Sequence, residues 1–157
     1  MKCPFCRSSE TEVYNSRITR HATQIWRRRR CQACREAFTT YEAADLGFLK
    51  VIKKNGLKQR YSRAKLYSGI YGAFLSILQK ETAVDAVTDA VEAALLDTKR
   101  RELATSEIAT IVLATLKQAN LAAFMRFLAY HANPATDAEL RRALKPYLQG
   151  SPDRSSK

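Results

Sequence analysis

Cys3-Pro4-Phe5-Cys6 and Cys31-Gln32-Ala33-Cys34, two C-x-x-C pairs with 24 residues between them, decide how the opening of this 157-residue chain folds. Each pair can put two thiolates on one tight turn. Two such turns, brought together by an intervening β-hairpin, supply the tetrahedral sulfur set that Zn(II) prefers, and four protein ligands leave no open coordination position. The site is therefore read as structural and not catalytic. A thiol redox centre is the competing reading, but it uses one C-x-x-C beside a βαβ unit, which residues 1–44 do not resemble. Metal binding supplies on the order of 10 kcal/mol of folding free energy, so without it this segment is expected to be unfolded.

Between the cysteine turns, residues 12–16 and 24–30 are short β-compatible runs joined by a polar stretch at 19–23, and residues 38–41 supply a third. This is a zinc ribbon pattern. In a strand over 25–30, side chains alternate faces, so Arg27 and Arg29 point one way and Arg28 and Arg30 the other. Neither face is then a purely apolar core face. Guanidinium groups pair with phosphates and read guanine edges. Arg17, Arg20, Arg35 and Trp26 extend the patch. The competing readings are a charged strand edge that resists aggregation and, for Trp26, ordinary ribbon packing.

The charge balance agrees with an acidic partner. The formal net charge is +12 and the pI about 9.8, which favours nucleic acid, a nucleotide or an anionic membrane surface without choosing among them. Residues 1–44 hold nine Lys/Arg against four Asp/Glu, a net of +5 that includes four consecutive arginines. No run approaches the roughly 20 apolar residues of a membrane span, and Met1-Lys2-Cys3-Pro4 opens with no apolar signal region. A cytoplasmic protein is expected, and paired cysteines in that reducing compartment point to metal or redox chemistry.

From Phe48 the pattern changes. Residues 48–52 read as an apolar strand entering an Asn55-Gly56 turn, with a return strand over 57–61. Ser62 is placed to cap a helix striped by Leu66, Ile70, Phe74, Ile77 and Leu78. Thr82 is expected to cap a second, with Val84, Val87, Val91, Ala94 and Leu95 inside. Thr105 or Ser106 starts a third, carrying Ile108, Ile111, Val112, Thr115 and Leu116, and Leu121, Phe124, Phe127 and Leu128 mark a fourth. The box Thr136-x-x-Glu139 opens a short helix with Leu140, Leu144 and Leu148 on one side and Pro146 near its end. Residues 150–157 read as a disordered tail. The expected fold is α+β: a zinc ribbon over 1–45, a mainly helical domain with an N-terminal β-hairpin over 46–131, and a C-terminal helix and tail over 132–157.

Lys53 and Lys54 next to Gly56, with Arg60, Arg63 and Lys65 near a helix start, could gather positive charge around phosphates. On physics alone a lysine-rich solvated edge explains them as well. No phosphate loop G-x-x-x-x-G-K-[ST] and no evident acid–base cluster is present, so an enzyme is not expected.

Taken together, Cys3-Pro4-Phe5-Cys6, Ser16-Arg17, Ile25 with Arg27 to Arg30, Cys31-Gln32-Ala33-Cys34, Phe38-Thr39-Thr40-Tyr41-Glu42, Val51-Ile52-Lys53-Lys54-Asn55-Gly56 and Tyr61-Ser62-Arg63-Ala64-Lys65-Leu66 closely resemble the bacterial transcriptional repressor NrdR family, regulators of ribonucleotide reductase genes. The resemblance spans about residues 1–131 and implies a zinc ribbon followed by an ATP-cone. It implies that the ribbon binds operator DNA through Arg17, Arg27, Arg28, Arg29, Arg30 and Arg35. It also implies that the cone binds ATP or dATP through Val51, Lys53, Lys54 and Lys65, and that nucleotide state controls oligomerisation and hence repression. Arg126-Phe127 falls on the family's late helical motif.

Several positions depart from the family pattern. Lys54 stands where arginine is usual, keeping charge but losing the planar fork that grips phosphate. Gln59 replaces a commonly acidic residue, Trp26 interrupts the arginine run, and Arg30 extends that run towards Cys31. Tyr130-His131-Ala132-Asn133-Pro134 stands where a Tyr-Arg pair usually follows, and His131 reads as a surface or packing histidine. The rival functions are an RNA-binding or translation-associated ribbon and, further off, a thiol-redox enzyme.

Overall fold

The computed structural model describes residues 1–18, 24–75 and 80–148. Three antiparallel strands, β1 (Thr11–Ile18), β2 (Gln24–Cys31) and β3 (Ala37–Ala43), form a sheet in the order β1-β2-β3. The polar stretch at 19–23 lies outside the described residues. The register slips once, between Val13 and Asn15, which leaves Tyr14 as the extra residue of a bulge in β1. This sheet has almost no apolar core: Cys3, Cys31 and Phe38 are its buried hydrophobic residues.

A 3-10 turn at Leu46–Phe48 follows, with the Asp45 carboxylate accepting from the Gly47 N–H at 2.8 Å. Residues 48 and 49 therefore do not belong to the next strand, which the sequence pattern extends too far back. A second sheet has the order β5-β4-β6, built from β4 (Lys50–Ile52), β5 (Lys58–Arg60) and β6 (Glu102–Ala104). β6 runs parallel to β4. It is only three residues long, and Glu-Leu-Ala carries no period-2 signal, so only its partner strand reveals it.

The hairpin turn forms at Asn55-Gly56 as expected. Lys53 N–H bonds Leu57 O at 2.9 Å, Asn55 Oδ1 accepts from Leu57 N–H at 3.1 Å, and Gly56 sits at φ +80°. A Cβ at Gly56 would meet nothing within 4 Å, so the cost of Gly56→Ala is the left-handed backbone alone, about 1–2 kcal/mol. A thermal melt should show the midpoint falling by several degrees with the cone fold intact.

Among the described residues five α-helices follow: α1 (Arg63–Ala73), α2 (Lys80–Asp97), α3 (Thr105–Ala119), α4 (Leu121–Ala132) and α5 (Asp137–Leu148). Their apolar stripes meet in one core that includes Ile70, Phe74, Val84, Val91, Leu103, Leu116, Phe124 and Leu128. Among the described residues no helix is long and apolar enough to cross a membrane.

Several helix ends differ from expectation. Ser62 occupies the N-cap of α1 without a capping side-chain bond, and it lines a neighbouring cleft. α1 stops at Ala73 with Phe74 as a buried C-cap, and Ile77 and Leu78 lie outside the described residues. α2 is already helical at Lys80, which puts Thr82 inside its first turn. At α3, Ala104 holds the N-cap position and Glu107 closes the turn, its carboxylate accepting from the Ala104 N–H at 2.7 Å. In α4, Leu121 is 64% exposed, while Asn120 caps the helix by accepting from Ala123 N–H at 2.9 Å. In α5, Leu148 is exposed and Tyr147 packs edge-on against Phe124 at 5.3 Å instead. Pro146 lies inside the last turn of α5, which ends two residues later at Leu148.

Candidate metal centre, arginine faces and nucleotide cleft

The two cysteine turns are local copies of one another. In the first, Cys3 N–H bonds Ser8 O at 2.8 Å and Arg7 N–H bonds Cys3 O at 3.0 Å; in the second, Cys31 N–H bonds Glu36 O at 2.9 Å and Arg35 N–H bonds Cys31 O at 3.0 Å. Arg7 and Arg35 close the turns in the left-handed region, at φ 65° and 64°. Backbone geometry thus fixes where each sulfur pair points.

The four sulfurs all lie within 4.8 Å of one another, with Cys3 to Cys34 at 3.6 Å and Cys6 to Cys31 at 3.5 Å. Zinc–sulfur bonds of about 2.3 Å in a tetrahedron require edges of about 3.8 Å, so the set fits a zinc ion. The backbone N–H of Cys34, with further help from Cys6 and Ala33, holds the Cys31 thiol down at about 7. The Cys34 thiol goes the other way, to about 12: the Glu36 N–H lowers it, but burial and the three neighbouring sulfurs outweigh that. Four thiols this close cannot all ionise without a cation among them.

Directly paired residues of antiparallel strands share a face. One face of the ribbon therefore carries Trp26 between Arg17 and Tyr41, Arg28 between Asn15 and Thr39, and Arg30 between Glu12 and Ala37. The other carries Arg27 between Ser16 and Thr40, and Arg29 between Val13 and Phe38. The alternation expected from the sequence holds.

The two faces differ in what engages their cations: a carboxylate on one, aromatic rings and neutral hydroxyls on the other. Arg27 pairs with Glu42 at 2.7 Å, its Nε is buried without a partner among the described residues, and Arg29 Nε donates to Thr40 Oγ1 at 3.1 Å. Opposite them, Arg17 lies 5.9 Å from the Trp26 ring centre and Arg30 5.1 Å from that of Tyr14. Arg28 donates to Tyr14 Oη at 3.2 Å and Thr39 Oγ1 at 3.0 Å. Tyr14 and Tyr41, both exposed, were not legible as part of this face. Tyr14 is brought there by the bulge, which no residue pattern announces, whereas the two-residue alternation from Phe38 could have flagged Tyr41.

In the second domain, Val51, Lys53, Gln59, Lys65 and Thr105 line a cleft of about 150 Å³. An adjoining groove of about 570 Å³ adds Lys54, Asn55 and Leu57. Lys65 Nζ donates to Gln59 Oε1 at 3.1 Å, and Thr105 Oγ1 donates to Ile52 O at 3.1 Å. Arg60 also lines this cleft and Arg63 does not, and both are engaged by other partners. Arg60 Nε donates to Gly47 O at 3.1 Å, and Arg63 pairs with Asp89 at 2.7 Å and with Glu92.

The late helical pair lies elsewhere: Arg126 Nη1 donates to Ala73 O at 3.3 Å, and Arg126 and Phe127 line a groove of about 740 Å³ with Gly69, Gly72 and Tyr130. His131 stacks on Phe127 with ring centres 6.0 Å apart, a packing role, and burial together with the Lys54 charge lowers its pKa.

A four-thiol ribbon bearing arginines on both faces, joined to a helical domain with a lysine-lined cleft, defines a zinc-ribbon regulator with a nucleotide-binding domain. Residues 1–42 match the family described as transcriptional repressor NrdR-like, N-terminal domain, and residues 49–132 match the ATP cone domain. The chain belongs to the NrdR family of transcriptional repressors. It is 38% identical to the transcriptional repressor NrdR of Dechloromonas aromatica over 133 residues, covering 85% of this chain and 86% of that protein. With that of Cupriavidus metallidurans it shares 34% over 152 residues, covering 97% and 98%. With that of Burkholderia ambifaria it shares 31% over 157 residues, covering 100% and 99%. Its relatives are regulators and not enzymes.

Proposed function

We propose that this repressor holds operator DNA of ribonucleotide reductase genes on its ribbon and switches that affinity through ATP and dATP bound in the cone. The ribbon is taken as residues 1–45, the cone as 46–131, and 132–157 as an appended helix and tail, all within the cytoplasm. The observation that carries the reading is that Lys53 and Lys65 line one cleft and Lys54 the groove adjoining it, in the same chain as the arginine-rich ribbon. Val51 supplies an apolar wall for a base or sugar, and the lysines neutralise phosphates.

On the ribbon, Arg17, Arg27, Arg28, Arg29, Arg30 and Arg35 are the DNA contacts. A nucleotide that binds two cone assemblies unequally shifts their populations, and the assembly that spaces ribbons to match tandem sites gains by effective concentration. Repression can then change without any change in the residues that touch DNA.

The test is binding to the organism's own ribonucleotide reductase promoter with no nucleotide, ATP or dATP, while particle mass is followed. Mass and DNA affinity should both depend on which nucleotide is present. Lys53→Ala with Lys65→Ala should weaken nucleotide binding about tenfold or more, since it removes two charge-assisted hydrogen bonds, and should erase both responses. Constant mass and constant affinity in the wild type would refute the switch. The exposed Tyr14 and Tyr41 beside Arg28 and Arg30 also suit unpaired bases, so structured RNA belongs in the same titration as a competitor.

A further inference from the structure

We infer that Gln24, Arg63 and Asp89 are positioning residues, a polar latch that carries the state of the nucleotide cleft to the ribbon. Gln24, the first residue of β2, donates from Nε2 to Asp89 Oδ1 of α2 at 2.8 Å. Among the described residues it is the one side-chain hydrogen bond from the ribbon strands to the cone helices. Arg63 Nη2 donates to the same Asp89 oxygen at 2.7 Å. The other arm of Arg63 pairs with Glu92, whose second oxygen accepts from Tyr61 Oη at 2.8 Å.

Glu92 is only 7% exposed, and a carboxylate this buried is held by its partners. Burial and the Glu92 carboxylate together push the Tyr61 hydroxyl well above its usual range, so it stays protonated as the donor. One arginine between two carboxylates leaves an excess negative charge, which a donor such as the Gln24 amide meets.

The short segment from β5 into α1 serves both sites. Gln59, Arg60, Tyr61 and Lys65 all line the lysine-lined cleft, and Arg60, Tyr61 and Arg63 carry side-chain bonds into the junction. Tyr61 N–H also bonds Leu49 O at 2.8 Å, and Arg60 grips Gly47 O. A phosphate drawing Lys65 off Gln59 pulls on the first turn of α1, whose second residue before Lys65 is Arg63. A cleft of about 290 Å³ lined by Gln24, Ala43, Asp45, Tyr61, Arg63 and Glu92 gives these groups room to rearrange.

This inference rests on the proposed nucleotide switch, so its test separates the two. Trp26 is the only tryptophan and lies two residues from Gln24, so its time-resolved fluorescence anisotropy reports whether the ribbon tumbles with the cone. In full-length, zinc-loaded protein, Gln24→Ala should add a fast depolarising component. It should also cut the nucleotide-dependent change in DNA affinity about fivefold or more, within the usual range of coupling. ATP and dATP affinities measured without DNA, and particle mass, should stay within about twofold, since Gln24 lines neither the lysine cleft nor its adjoining groove. Gln24→Lys, which meets the excess negative charge, should restore slow decay and coupling. Wild-type anisotropy and coupling in Gln24→Ala would overturn the latch, as would equal loss of DNA affinity with and without nucleotide. A wild-type protein whose DNA affinity ignores nucleotide would instead overturn the switch itself.

Discussion

Cys31→Ser should unfold the ribbon and abolish DNA binding while the cone keeps its fold and its nucleotide. Cys31 is fully buried, and the rest of the ribbon's apolar core is Cys3 and Phe38. Three residues cannot offset the conformational entropy of ordering some forty, at about 1–2 kcal/mol each for backbone alone. The metal supplies the missing free energy, on the order of 10 kcal/mol for such sites. Serine keeps the shape but offers no thiolate, so the cost should approach the whole of that contribution.

The cone has its own core around Ile70, Val91, Leu116 and Phe124 and is expected to survive. Amide NMR should therefore show the ribbon's dispersed signals collapsing while the cone's remain, and zinc content should fall to zero. Stoichiometric chelation of the wild type should give the same spectrum, reversed by added zinc. A Cys31→Ser protein with an intact set of ribbon signals would show that the sheet does not depend on the metal.

The readable parts of the sequence share a property: their signals are local. C-x-x-C spacing, the alternation of Arg27 to Arg30 and the Asn55-Gly56 turn each depend on residues within a few positions, and each forms in the structure. What depended on distant partners was not legible. β6 exists because β4 pairs with it. The bulge at Tyr14 exists because β1 must stay in register with β2 on both sides of Val13 and Asn15. Arg60 and Arg63 looked like phosphate ligands because they neighbour Lys65 in sequence, but Gly47, Asp89 and Glu92 claim them from 13 to 29 residues away. A count of basic residues near a helix start could not separate free cations from engaged ones.

The two ribbon faces should contribute unequally to DNA binding. Arg28→Ala combined with Arg30→Ala should weaken operator binding more than Arg27→Ala combined with Arg29→Ala. Removing an arginine from a base edge costs about 1–3 kcal/mol, so the first pair should lower affinity by at least about thirtyfold. Arg27 is neutralised by the Glu42 carboxylate and Arg29 shares its face with buried Phe38, whereas Arg28 meets only the neutral hydroxyls of Tyr14 and Thr39 and Arg30 lies over the exposed Tyr14 ring. Loss of Arg27 and Arg29 should appear partly as ribbon stability, up to about 1 kcal/mol for a half-exposed ion pair such as Arg27 with Glu42.

Salt titration separates the roles further. Deleting a phosphate-binding side chain should flatten the slope of log affinity against log salt by about 0.9, whereas deleting a base-reading one should leave the slope and relax sequence preference. Arg30→Lys sharpens the point, because it keeps the charge and loses the fork: a base-reading Arg30 fails this substitution, and a phosphate-binding one largely survives it. Greater loss from the Arg27 and Arg29 pair, in a ribbon still holding its zinc, would place the DNA on the opposite face of the sheet, away from Trp26 and Tyr41.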